Sequence, residues 1–101
     1  RLKSSNSIKM KFEWNPKKAA INQQKHNISF RDATPVFKDP LSITFPDKHH
    51  SIGESRYVII GISALGNVLI VSHTDRDDKT RIISARKATR QERRFYESES
   101  E

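Results

Sequence analysis

The alternation of apolar and polar positions divides the chain into short segments with two different periods. Met10, Phe12 and Trp14 share one parity across Met10-Lys-Phe-Glu-Trp14, a spacing of two that predicts a short strand. Asn15 then offers a side chain that can cap a helix, and Pro16 a backbone angle suited to the first helical position. A helix is expected from there through Lys18, Ala19, Ile21 and Asn22 to about Lys25-His26, ended by Asn27 in the left-handed conformation. A second helix begins at once: Ser29 can cap the segment from Phe30 to Phe37, Asp32 stands where a capping-box acid belongs, and Pro35 should shorten or kink it.

Beyond Asp39-Pro40, Leu41, Ile43 and Phe45 alternate with Ser42 and Thr44 until Pro46-Asp47 interrupts, the pattern of an edge strand. A polar loop from Asp47 to Ser55 holds His49, His50 and Gly53, and the continuous apolar run from Arg56 to Ser63 reads as a buried strand. Leu65-Gly66-Asn67 supplies a turn, Val68 to Thr74 returns antiparallel, and after Asp75-Arg-Asp-Asp78 the segment Thr80 to Ala85 completes a meander of three central strands. Thr89 can cap a final helix carrying Arg90, Arg93, Arg94, Phe95 and Tyr96. The expected class is α+β in the order β-α-α-β-β-β-α, an antiparallel sheet with its helices segregated to one side. Residues 1–9 lack periodicity and read as a leader or expression remnant, 10–96 as a single domain, and 97–101 as an acidic tail.

Composition narrows the class of function. At 101 residues there is room for one modest core, and 34 % hydrophobic against 31 % charged residues is polar but sufficient to fold. The absence of cysteine excludes a disulfide framework and a thiolate nucleophile and points to a cytoplasmic protein. The longest apolar run, Tyr57 to Ile62, falls far short of the ~20 residues that span a bilayer, so a soluble protein is expected. The net charge of +7 makes a polyanion, RNA or DNA, the expected partner through counterion release and steering. Lys plus Arg outnumber Asp plus Glu by 8 to 2 in residues 1–37 and by 7 to 1 in 79–94, whereas 38–78 hold 4 against 6. The excess therefore lies in two blocks, which converge if the last strand and first helix lie against the same part of the sheet.

Cleaving RNA without a metal requires a base for the 2′-hydroxyl proton, cations for the crowded phosphorane and an acid for the leaving 5′-oxygen. Lys25-His26 closes the first helix and sets a fixed cation beside a side-chain type that titrates near neutrality, although a helix C-terminus favours such a surface pair through its dipole alone. Arg56, Arg81 and Arg86 each offer a planar fork for phosphate. Arg81 and Arg86 have opposite parity, so on a regular strand they face opposite ways, unless Arg86 lies past the strand end. His73 shares parity with Leu69 and Val71 and is expected as a half-buried histidine with its hydrogen bonds satisfied, while His49 and His50 belong to a mobile loop. Trp14, Tyr57 and Tyr96 are the aromatic candidates for base stacking, too few for a stacking platform, and core packing is the expected role of the first two. Asp75, Asp77 and Asp78 lack the glycine and distal glutamate of a calcium loop, four scattered histidines without cysteine do not make a zinc site, and no glycine-rich phosphate loop occurs. No metal and no cofactor are expected.

Taken in order, Phe12-Glu-Trp-Asn-Pro-Lys17, Ala19 and Asn22 before Lys25-His26, Ser29-Phe30 and Ala33, Val36-Phe37, Asp39-Pro40, Arg56 followed by Gly61, His73-Thr74, Arg81-Ile-Ile-Ser-Ala-Arg86, and Ala88-Thr-Arg-Gln-Glu-Arg93 with Tyr96 resemble the BrnT-type toxins of bacterial type II toxin-antitoxin systems, over about residues 10 to 96. The resemblance implies a RelE-like α+β ribonuclease that cleaves RNA and inhibits translation. It further implies neutralisation by a DNA-binding, ribbon-helix-helix antitoxin of the BrnA kind, in a heteromeric complex that represses its own operon. Carried onto matched positions, it implies Lys25 and His26 near the phosphate or as proton-transfer groups, and Arg56, Arg81 and Arg86 as cations for the transition state. The expected RNA contacts are Lys18, Lys25, Arg56, Arg81, Arg86 and Arg90. Residues 1–9 and the Ser98-Glu-Ser-Glu101 tail depart from the family pattern without touching a matched position. The competing readings are a non-catalytic nucleic-acid-binding or regulatory module, which would bind without product, and a partner-binding domain whose basic surface receives an acidic peptide.

Overall fold

The computed structural model describes residues 10–99, so the expected leader 1–9 and the last two residues of the expected tail lie outside it. Its elements are β1 (Lys11–Glu13), α1 (Pro16–His26), α2 (Phe30–Ala33) continued by a 3₁₀ segment Thr34–Lys38, β2 (Ile43–Pro46), a 3₁₀ turn Lys48–His50, β3 (Arg56–Ile62), β4 (Val68–Arg76), β5 (Lys79–Lys87) and α3 (Arg90–Glu99). The local signals operate as their chemistry predicts. Asn15 accepts hydrogen bonds from the Lys17 and Lys18 amides, Asn27 ends α1 at φ 58°, and Ser29 Oγ accepts from the Asp32 amide at 3.0 Å. Pro35 falls where α2 gives way to the 3₁₀ segment.

The α+β class holds, with three corrections. The five strands lie in the order β1-β5-β4-β3-β2, so the element order is β-α-α-β-β-β-β-α, and the expected order counted one strand too few. The edge strand expected from Leu41 to Phe45 does form, as Ile43–Pro46, and pairs fully with β3, from Ile43 opposite Ile60 to Pro46 opposite Tyr57. Second, β1 pairs parallel to β5, which makes the sheet mixed rather than antiparallel; a period of two tells which face a residue takes but neither its neighbour nor its direction. Third, the helices are not on one side. Phe30, Ala33 and Val36 pack with Ile59, Leu69, Val71 and Ile82 in the core on one face. On the opposite face α3 sets Phe95 against Phe45 at 5.9 Å between ring centroids and lines a groove with Val58, Ile60 and Ile70. A strand apolar on both parities, as β3 is, needs cover on both faces.

Asp39 ties the two layers together. Its Oδ1 accepts from the Leu41 amide, and its Oδ2 accepts from the Ile62 amide at 2.9 Å and from the Tyr96 hydroxyl at 2.5 Å. Burial raises the Asp39 carboxyl, but these hydrogen bonds, Tyr96's foremost, outweigh it and hold the group below the usual carboxylate range. Tyr96 is pushed up to about 12, by burial first and then by its bond to Asp39. Gly61 lies under the same corner, where a Cβ would come within 3.0 Å of Val36 and 3.1 Å of Asp39, which leaves room only for glycine unless the 3₁₀ segment shifts. The final helix continues to Glu99, three residues into the segment read as a tail. Among the described residues no helix is long and apolar enough to cross a membrane.

His73 departs from expectation. It is 6 % exposed, and neither ring nitrogen has a hydrogen-bond partner. Its surroundings are rings, with Phe37 edge-on at 4.8 Å and Tyr57 stacked at 5.8 Å, so it behaves as an aromatic core residue. Burial depresses its pKa below the ordinary 6.5, with Asp75 opposing in part. Because the folded-state value is the lower, the unfolded chain takes up the proton first as pH falls below about 6.5, so the contribution present above that pH is lost on acidification. Thermal unfolding from pH 7.5 to 5 should therefore show a steeper loss of Tm for the native chain than for His73→Phe; parallel curves would refute this account.

Candidate functional site

The arrangement of the basic residues is decided by one irregularity in β5. Ser72 of β4 pairs with Ser84, but the next residue, His73, pairs with Ile82, leaving Ile83 as an extra residue in β5. A β-bulge of this kind inverts the alternation beyond it. Thr80, Ile82 and Ala85 are accordingly buried toward α1 and α2, while Arg81, Ile83, Ser84 and Arg86 are only half-buried on the opposite, open face. Arg81 and Arg86, of opposite parity in sequence, thus share a face even though β5 continues through both. Arg56, Thr74 and Arg81 stand abreast across β3, β4 and β5, placing the two arginines two strand spacings apart, about 10 Å.

The first helix is locked beside the bulge by a buried asparagine. Parallel pairing with β1 ends at Arg81, so the outer edge of β5 beyond it would expose unpaired backbone. Asn22 takes the place of a strand there: its Oδ1 accepts from the Ala85 amide at 3.1 Å, and its Nδ2 donates to the Ala85 carbonyl at 2.9 Å and to the Ile28 carbonyl at 3.0 Å. One turn on along α1, Lys25 and His26 line a hollow of about 180 Å³ with Lys18, Ile83 and Ser84. Across the bulge, a second hollow of about 200 Å³ is lined by Arg56, His50, Asp47, Ser72, Ile83 and Ser84. A third, the groove of about 650 Å³ under α3, includes Ser84, Ser72, Asp47 and Arg86. Ser84 borders all three, so they adjoin at that residue. The first basic block supplies Lys18, Lys25 and His26 here, the second only Arg86, and Arg56 comes from the segment between the blocks.

The cations differ in how they are held. Arg86 makes a two-pronged bond to Glu92 at 2.8 and 2.9 Å, and Glu92 also accepts from the Thr89 amide while its own amide donates to Thr89 Oγ. Glu92 is lowered to about 2, chiefly by Arg86, and Arg86 is raised by the same bond. Arg81 lies 3.5 Å from Glu13, and Arg56 lies 3.2 Å from Glu54. His50 Nδ1 is 3.0 Å from the Asp47 carboxylate, which fixes a ring that the sequence reading left in a mobile loop. Lys25 and His26 form no ion pair among the described residues. Arg81 lies on the open face but lines none of the three hollows, and Arg90, exposed at the start of α3, lines none either.

Reading by residue type and parity missed Ser84, Ser72, the Asp47–His50 pair and Glu92. Glu92 had a local signal, a threonine followed three residues later by glutamate. The serines had none, because the face they occupy depends on the bulge. Among the described residues no cluster of three or more His, Asp and Glu side chains is placed to hold a metal ion.

Comparison with known proteins gives the same direction. Residues 14–92 match the family described as ribonuclease toxin, BrnT, of type II toxin-antitoxin system. The chain belongs to the BrnT family. Its fold is similar to the crystal structure of the Brucella abortus ribonuclease toxin BrnT, with a TM-score of 0.64 and 25 % identity, covering 81 % of this chain and all of that one. No curated protein sequence matches. The BrnT match ends at Glu92, the residue that holds Arg86 and caps α3.

Proposed function

We propose that this BrnT family member is an endoribonuclease that cleaves RNA by internal transesterification at the concavity centred on Ser84. The observation carrying this reading is the convergence of Lys18, Lys25 and His26 with Arg56 and His50 around one serine. In the reaction a base removes the 2′-hydroxyl proton, the 2′-oxygen bonds to phosphorus, and the 5′-oxygen leaves with a proton from an acid, giving a 2′,3′-cyclic phosphate and a 5′-hydroxyl. His26 lines one hollow and His50 the next, so in this reading one serves as base and the other as acid, and Asp47 orients His50. Lys25 and Arg56 offset the growing phosphorane charge, with Arg81 beside Arg56 on the same face. Charge neutralisation comes from ammonium and guanidinium groups, so cleavage in this reading is independent of metal.

Arg86 serves the site by anchoring α3 through Glu92, while Arg90, exposed at the helix start, is available to the backbone of a bound strand. In the cell this activity would inhibit translation and be neutralised by a ribbon-helix-helix antitoxin, the complex binding operator DNA through that antitoxin. The test is incubation of the purified chain with RNA in EDTA, followed by end-group analysis. Fragments with 2′,3′-cyclic phosphate ends are expected, and intact RNA at equimolar protein would favour a binding module instead.

A further inference from the structure

We infer that the groove between α3 and the open face of the sheet is a nucleobase subsite, which receives a base of the RNA whose backbone lies over the Ser84 concavity; this rests on the RNA-cleaving function proposed above. The groove encloses about 650 Å³, within the roughly 300–1,000 Å³ of small-ligand pockets. Its floor is apolar, formed by Val58, Ile60 and Ile70. Phe45 and Phe95 stand at its rim, ring centroids 5.9 Å apart and tilted by 41°, and each is 41 % exposed, so their faces are incompletely covered by the protein. Hydrogen-bonding groups complete the lining, with Gln91 able both to donate and to accept and Asp47 to accept. An apolar groove edged by exposed rings and carrying a few polar groups suits a heterocycle that stacks by its face and is read at its edge.

Charge decides between base and phosphate. The one guanidinium in the groove, Arg86, is already neutralised by Glu92 through two bonds, and Asp47 adds a carboxylate at the mouth. The groove therefore offers neither a phosphate nor an acidic peptide an unpaired cation, and suits a neutral ring. The hollows that it joins at Ser84 carry the unpaired Lys25 and the arginine Arg56, the complementary arrangement for the backbone of the same nucleotide chain. Phosphate is held on one side of Ser84 and the base on the other.

The experiment measures fluorescence anisotropy with fully 2′-O-methylated RNA oligonucleotides, which cannot be cleaved, in a set carrying a single abasic site at successive positions. Phe45→Ala and Phe95→Ala are each expected to weaken binding about tenfold, as is an abasic site at one position in the native chain. The two losses should not add when combined, and Phe95→Trp, a variant that keeps an aromatic ring at the rim, should retain the affinity. Additive losses, or native affinity in both alanine variants, would overturn the subsite. If those variants keep RNA affinity but lose that of a protein partner, the groove is a protein-docking surface and the inference fails. Arg56→Ala and Lys25→Ala separate the two levels: loss of binding there with none at the phenylalanines rejects only the subsite, whereas no loss at either rejects the RNA reading itself.

Discussion

His26→Ala is expected to lower RNA cleavage by roughly 10²- to 10⁴-fold, the usual contribution of a positioned acid or base. The side chain ends α1, is half-buried, and faces the Ser84 hollow next to Lys25, so its removal takes away a proton-transfer group without opening the core. His50→Ala should cause a loss of the same order if it supplies the complementary proton transfer from across the bulge. Single-turnover cleavage, with thermal melts to verify folding, makes the measurement. A fully active His26→Ala protein would remove that residue from the chemistry.

Asn22→Ala is expected to cost about 3 kcal/mol of folding stability, because it strands the Ala85 amide and the Ala85 and Ile28 carbonyls in a dry setting where each unmade bond carries a penalty. That is a large share of the roughly 5–15 kcal/mol that holds a domain together. Asn22→Asp sharpens the test at nearly constant volume. A carboxylate can still accept from the Ala85 amide but cannot donate to two carbonyls, and it brings a buried charge, so it should be at least as damaging as alanine. Urea titrations give both values. A loss below about 1 kcal/mol in each, the scale of a single exposed hydrogen bond, would show that the asparagine does not stand in for a strand. Because α1 is held to β5 through this side chain, either substitution should also depress cleavage at temperatures where the protein remains folded.

What was legible in the sequence and what was not divides by the range of the interactions. The start of α1 at Asn15-Pro16, its end at Asn27, the cap at Ser29 and the break at Pro35 depend on atoms within four residues of one another, and each fell where expected. Parity assigned Leu69, Val71 and His73 to the core side, but it could not tell that His73 would find only aromatic rings there and no partner for its nitrogens. The parallel pairing of β1 with β5 joins Lys11 to Lys79, and α3 folds over the sheet to set Phe95 on Phe45, and no local pattern reports such choices.

The candidate site follows the same division. Lys18, Lys25, His26 and Arg56 were recognisable as residue types suited to RNA, and the two basic blocks as segments able to converge. That Arg81 and Arg86 share a face was beyond reach, since strict alternation separates them and the bulge at Ile83 restores them to one side. Phe45 and Phe95 were overlooked for the same reason: the first is an ordinary edge-strand residue and the second an ordinary helix residue until α3 folds across the sheet. Sequence alone determined the local elements and the chemical character of the surface, because capping, turn geometry and net charge are properties of neighbouring residues and composition. Only the tertiary structure decided which cations meet, because one extra residue in β5 and one asparagine at its free edge set the directions of side chains far apart in the chain.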